Sequence, residues 1–280
     1  MKNKKKILWT AVSVICALIV IAGTVMLILA NNAPDVTRDD FSADQTEAAL
    51  NPDSATEAPV QAPTALPLEK SFGYELAEYT DIGVDFEKLT AANPDVYAWI
   101  YIPNTNVDYP VVRSISDGDD TFYLDHNVYR QYQFSGTIFS ELSNNPDFHD
   151  PVTVLYGHNM LDGSMFASLH NFEKDDFFEE NRTAFVVTAD KVYTYLIYSA
   201  YTYDDRHILR SFLADDSESF REYLESTLDP HSYDSQVREN VVLDTDSRIL
   251  TLSTCTNGAS NIRYLVQGVL VDEFEKEKKL

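Results

Sequence analysis

Residues 248–272 read RILTLSTCTNGASNIRYLVQGVLVD, and this stretch decides the fold. Ile249, Leu250, Thr251, Leu252 and Thr254 form an apolar, β-branched run, which favours a strand. Asn257-Gly258 is a strong hairpin turn, because both residues tolerate positive φ. Ile262–Val271 is the return strand. Cys255 closes the first strand and Arg263 opens the second. If the strands pair around residues 256–262, these two face each other, roughly 4.5–5.5 Å apart at Cα. A thiol beside a fixed guanidinium is a reactive arrangement. The plainer reading, a buried core cysteine and a surface cation, starts ahead for a lone Cys, so the rest of the chain has to decide.

The protein has 280 residues and a formal net charge of −24. Four of its 21 basic residues are Lys2, Lys4, Lys5 and Lys6, and no acidic residue precedes Asp35. From residue 31 onward, 17 basic residues face all 45 acidic ones, a surplus of 28 negative charges. Such a surface is repelled by nucleic acid and anionic membranes. The two cysteines are Cys16 and Cys255. Cys16 sits in an apolar segment, so no disulfide framework is expected.

Residues 7–30 carry no charge. As a helix they span about 36 Å, against a hydrocarbon core of about 30 Å. The basic cluster 1–6 precedes them and acidic sequence follows, which places the N-terminus in the cytoplasm and the remainder outside. A retained single-pass anchor in the cell membrane is favoured over a cleaved signal peptide, because the apolar run exceeds the usual h-region. Residues 31–70 hold eight carboxylates, five prolines and no glycine. They read as an extended, self-repelling stalk. A folded domain is expected over 71–280, with about 210 residues for one core.

Within that domain Asp85 can cap a short helix over 86–92 that Pro94 ends. Residues 96–103, 107–112, 135–139 and 152–156 read as strands. Gly157 breaks the last of these and His158 follows it. Met165, Phe166, Leu169 and Phe172 recur at helical spacing, with Asp162 or Ser164 able to start that helix. Residues 183–188 and 191–203 form another hairpin. The region 204–246 is a long loop with one amphipathic helix over 217–228. Many short strands with few helices between them argue a mostly β barrel or sandwich.

The chemistry-bearing set is then a thiol, an imidazole and a guanidinium. There is no Gly-rich phosphate loop, CxxC or HExxH, and none of the six histidines pair at metal-ligand spacing. Neither a metal site nor a cofactor is expected. The segments WIYIPNTNVDYPVV (99–112), YGHNMLDGSMFASL (156–169) and TLSTC followed by Arg263 resemble those of the sortases, cysteine transpeptidases of Gram-positive cell surfaces. The likeness covers about residues 85–272. It is nearest class B, through the YGHNM-x-DGSMF form and the helix-bearing loop before the cysteine strand. Gln267 stands where similar proteins often carry a histidine and is assigned no role.

The resemblance implies a closed eight-stranded β-barrel with a few peripheral helices, Cys255 as nucleophile, His158 as general acid/base and Arg263 as the cation at the oxyanion. It implies cleavage after Thr in an LPxTG-like or NPxTN-like sorting signal. The thioester then passes to a peptidoglycan or pilin amine. The implied partners are exported surface proteins and a cell-wall or pilin acceptor, with no nucleic acid. The chemistry agrees: an amide carbonyl needs a thiolate, the tetrahedral oxygen needs donors, and the leaving amine needs a proton. Asn104, Ser253, Thr254 and the loop 204–246 are expected groove elements. Two rivals are an extracellular cysteine hydrolase using water and a non-catalytic surface-binding module. The short, charged EFEKEKKL end (273–280) lacks a sorting signal, which argues against a substrate of such enzymes.

Overall fold

A computed structural model describes residues 36, 38–42, 71–212, 216–256 and 259–276. The expected anchor over 7–30 lies outside these residues; among those described, no helix is long and apolar enough to cross a membrane.

Nine strands form one sheet: β1 (Val96–Tyr101), β2 (Asp108–Arg113), β3 (Ile138–Ser140), β4 (Val152–Tyr156), β5 (Thr183–Val187), β6 (Lys191–Asp204), β7 (Gln236–Val237), β8 (Ile249–Thr256) and β9 (Ala259–Glu275). Their order is β5-β1-β2-β3-β4-β8-β9-β6-β7, and β5 also pairs with β6. That pairing closes eight strands into the expected barrel and leaves the two-residue β7 paired with β6 beyond the end of β5. Pairings β2–β3 and β4–β8 are parallel.

Alternation sorts the hairpin's side chains between two cores. Leu250, Leu252, Tyr264 and Val266 join Ile100, Phe166 and Tyr195 in one cluster inside the barrel. Ile249, Leu265 and Val269 face outward, under helix α4 (Ser217–Leu228), which contributes Phe220, Tyr223 and Leu224. Asp216 caps α4 by accepting from the Glu218 and Ser219 amides. Gln267, also outward, is fully buried beneath this helix. The cap of α1 (Phe86–Ala92) by Asp85 is present, with the Lys88 amide donating at 3.0 Å.

Three local expectations are corrected. The stretch after His158 does not start an α-helix at Asp162 or Ser164. Asp162 instead accepts from the Ser164 amide and hydroxyl, and Met165 adopts a left-handed φ of 56°. Only Ala167–Glu173 winds, as a 3₁₀ helix. The strand expected over 135–139 begins later, at Ile138, because Gly136 takes φ +61° in a turn closed onto Gln133. Part of the expected stalk is packed: Phe41 is buried, Ser42 bridges Val84, and Arg38 pairs with Asp108 at 2.6 Å while lying over the Tyr101 ring. An apolar ring and an aromatic-stacked ion pair outweigh the self-repulsion that the local composition suggests.

Candidate active site

A cleft of about 250 Å³ opens on the outer face of the barrel where β4 and β8 end. Cys255, His158, Arg263 and Ser253 all line it. Cys255 and Arg263 are direct cross-strand partners, and the register shifts immediately beyond them. Cys255 is a free, half-buried thiol. The Arg263 guanidinium donates through Nη1 to the Ile262 carbonyl at 3.3 Å, which turns it along its own strand.

His158 is held from two sides. Its ring stacks on Phe134, with centroids 5.6 Å apart. Its Nε2 lies 2.7 Å from the Leu124 carbonyl oxygen. A carbonyl only accepts, so Nε2 carries a hydrogen and Nδ1 is the nitrogen free to gain or lose one. Gly157 makes the turn possible. A Cβ there would stand 2.5 Å from Ile138 Cδ1 and 2.8 Å from the Phe166 ring.

The tentative groove residues divide. Ser253 shares the outward face with Cys255 and lines the cleft. Thr254 also borders it, but alternation turns its side chain to the barrel interior opposite Tyr264, where its hydroxyl is buried. Asn104 does not line the cleft. It occupies a left-handed turn position (φ 61°) and its side-chain amide donates to Asn181 at 2.8 Å, the turn role that Asn fills readily.

The loop 204–246 supplies one wall through residues 205–208, and Phe220, Tyr223 and Leu224 of its helix pack on the outer face of the barrel. His207 joins Glu141 across the cleft, with Nε2 2.7 and 2.8 Å from the two carboxylate oxygens. Sequence reasoning missed this pair, the Leu124 carbonyl and the Phe134 stack. Nothing in the sequence marks them: the first links isolated residues far apart, and the second is backbone. Among the described residues, no three His, Cys, Asp or Glu side chains are placed to hold a metal ion.

A thiol, a basic nitrogen free to exchange its proton and a guanidinium in one cleft can perform acyl transfer through a thioester. The likenesses to known proteins agree. A family model described as "Sortase domain" matches residues 100–271. Sortase B of Listeria monocytogenes is 34% identical over 191 residues, covering 67% of this chain and 73% of the relative. The crystal structure of Clostridium perfringens sortase B superposes with a TM-score of 0.58 at 32% identity, covering 67% of this chain and all of that one. A Streptococcus pyogenes class B sortase involved in pilus biogenesis gives 0.58 at 30% identity, covering 67% and 98%.

Proposed function

The chain belongs to the sortase family, nearest class B, and from that premise we propose that it is a membrane-anchored cysteine transpeptidase that sorts exported proteins. The Cys255 thiolate attacks the Thr carbonyl of an LPxTG-like or NPxTN-like signal. Arg263 balances the developing oxyanion. The imidazolium of His158 gives its Nδ1 proton to the departing amine, and a thioester remains on Cys255. An incoming peptidoglycan or pilin amine then attacks the thioester, returning a proton to His158 and restoring the thiolate.

The single observation that carries this reading is the Cys255–Arg263 cross-strand pair in the cleft that His158 lines. Ser253, on the same face, is the proposed substrate contact beside the thiol. The uncharged run 7–30 supports a single-pass anchor with the barrel outside the cell, where substrate tail and acceptor meet. Cleavage and transfer of sorting-signal peptides, read by mass spectrometry with and without oligoglycine or a diamino acid, tests the proposal. Cys255→Ala is expected to abolish both products. Retained transfer removes the nucleophile assignment, and hydrolysis that no amine diverts makes the protein a hydrolase.

A further inference from the structure

The backbone carbonyl of Cys255 is held by side chains where a strand would be expected. The parallel pairing of β4 with β8 ends at Tyr156 and Ser253. Its last rung is the Gly157 amide donating to the Ser253 carbonyl at 3.1 Å. Two residues on, the Cys255 carbonyl points to the same edge of β8. A continued β4 would meet it with the amide of residue 159, but the chain has turned away there, and Asn159 bridges Met165 instead. Two side chains fill the rung. Asn159 Nδ2 donates to the Cys255 oxygen at 3.0 Å. His170 Nε2, from the 3₁₀ helix, lies 3.0 Å from the same atom.

His170 is itself fixed. Its Nδ1 is 2.5 Å from Glu173 Oε1, and its side chain is only 16% exposed. Its ring stacks on Tyr264 of β9, with centroids 4.8 Å apart. A carboxylate against Nδ1 calls for a hydrogen there, and Nε2 lies against both the Cys255 carbonyl and Asn159 Nδ2, the latter 3.1 Å away. Three titratable groups face the ring: Glu173 on its own helix, Asp234 from the loop before β7, and Tyr264. Burial alone would raise the Asp234 carboxyl. Hydrogen bonds from Ser232 and Thr202, with attraction to His170, hold it below its ordinary range. Burial pushes the Tyr264 phenol far up, so it stays neutral.

We propose that His170, held by Glu173, is a positioning residue for Cys255 that, with Asn159, supplies the missing rung and fixes the end of β8. The inference rests on Cys255 being the nucleophile. Held by these two side chains, the carbonyl is clamped and the thiol keeps its place against Arg263.

The test compares the full chain with its His170→Ala, His170→Gln and Glu173→Gln variants. One readout is kcat and KM for peptide cleavage and transfer. The other is iodoacetamide labelling of Cys255, followed on its own peptide by mass spectrometry. His170→Ala should lower kcat by about 10–100-fold with KM within about twofold, the scale of a small misplacement of the reacting group. His170→Gln keeps an N–H donor and should recover most of kcat. Glu173→Gln loosens the partner that fixes the ring and should lower kcat by less than His170→Ala does. Wild-type kcat in His170→Ala, or a His170→Gln variant no better than His170→Ala at equal folded fraction, overturns the proposal. The labelling rate does not depend on transfer. If Cys255→Ala retains activity, the function fails, while unchanged labelling in His170→Ala separately sinks the positioning role.

Discussion

Replacing Gln267 by Leu should destabilise the domain by about 3 kcal/mol while leaving every group that lines the cleft in place. Gln267 is fully buried between β9 and α4. Its Oε1 accepts from the Thr251 hydroxyl at 2.7 Å and the Tyr223 hydroxyl at 3.3 Å. Its Nε2 donates to the Tyr201 hydroxyl at 3.1 Å. In Gln267→Leu the Thr251 and Tyr223 hydroxyls, 2.9 Å apart, keep each other. The Tyr201 hydroxyl loses this donor in a site buried deeply enough to push its phenol well above the ordinary value. A lost net hydrogen bond costs about 1 kcal/mol, and a stranded buried polar group about 1–3 kcal/mol. For a domain of this size, about 3 kcal/mol corresponds to a fall in Tm of about 6–12 °C. Thermal unfolding followed by circular dichroism measures it. The double variant Tyr201→Phe/Gln267→Leu removes the stranded partner too and should recover part of the loss, because replacing both partners by apolar groups is far cheaper. A single variant that melts within about 2 °C of the wild type, on the same scale, refutes the accounting. So does a double variant less stable than the single.

Arg263→Lys replaces a planar fork by a point charge and should cost about 10²–10³ in kcat, the usual loss for one oxyanion donor; single-turnover acylation with a sorting-signal peptide reads it. Gly157→Ala puts a methyl 2.5 Å from Ile138 Cδ1 and against the Phe166 ring. It should lower stability by about 1–3 kcal/mol, and peptide cleavage should fall beyond the folded fraction because the adjacent His158 is displaced. Burial would raise the Glu273 carboxyl, but hydrogen bonds from Arg248 and Lys191 outweigh this and hold it below its ordinary 4.5. The folded state therefore binds this proton less readily than the unfolded chain, and the stabilisation is present above that ordinary value and lost as pH falls through the depressed one. In urea unfolding at stepped pH, Glu273→Gln should be less stable than wild type near neutrality, and the gap should close in acid.

Much of the site was legible because it is built from strand alternation and one turn. The apolar runs at Ile249 and Ile262 marked the two strands of the hairpin, while the turn expected at Asn257-Gly258 lies outside the described residues. Together they brought Cys255 opposite Arg263, as the register has it. The same alternation already placed Thr254 on the inner face; the motif drew attention to a residue whose side chain the pleat turns inward. The cap at Asp85 was readable for a similar reason, since a carboxylate before a helix has one obvious use. What escaped was non-local or backbone. The Leu124 carbonyl that holds His158 has no side-chain identity to read. Strand β7 is two residues long, too short for any period. Helical spacing after His158 was real, but Met165 takes a left-handed φ, and only the end of the run winds. Phe41 lay in a segment whose acidic, proline-containing composition masked a single apolar side chain, and burial of one ring is enough to dock a short segment.

The parallel pairing of β4 with β8 explains why these residues meet. Strands that run parallel deliver their C-terminal ends to the same edge of the sheet. His158 follows the end of β4 and Cys255 lies near the end of β8, so pairing Val152 with Ile249 through to Tyr156 with Ser253 brings imidazole and thiol to one rim. An antiparallel pair would have sent them to opposite ends of the barrel. The hairpin then adds Arg263 by direct opposition, without help from the loops. Because β8 runs past the last rung with β4, its end needs outside support, which Asn159 and His170 give through the Cys255 carbonyl. Thiol, imidazole and guanidinium are thus set by strand ends, while the facing wall, residues 205–208, belongs to a separate loop tied down through His207 and Glu141. Peptide selectivity should accordingly change with that loop while the thiol chemistry does not. Exchanging residues 205–208 for another sequence should shift which signal is cleaved and leave the labelling rate of Cys255 unaltered. A parallel collapse of labelling would show that wall and nucleophile are one unit.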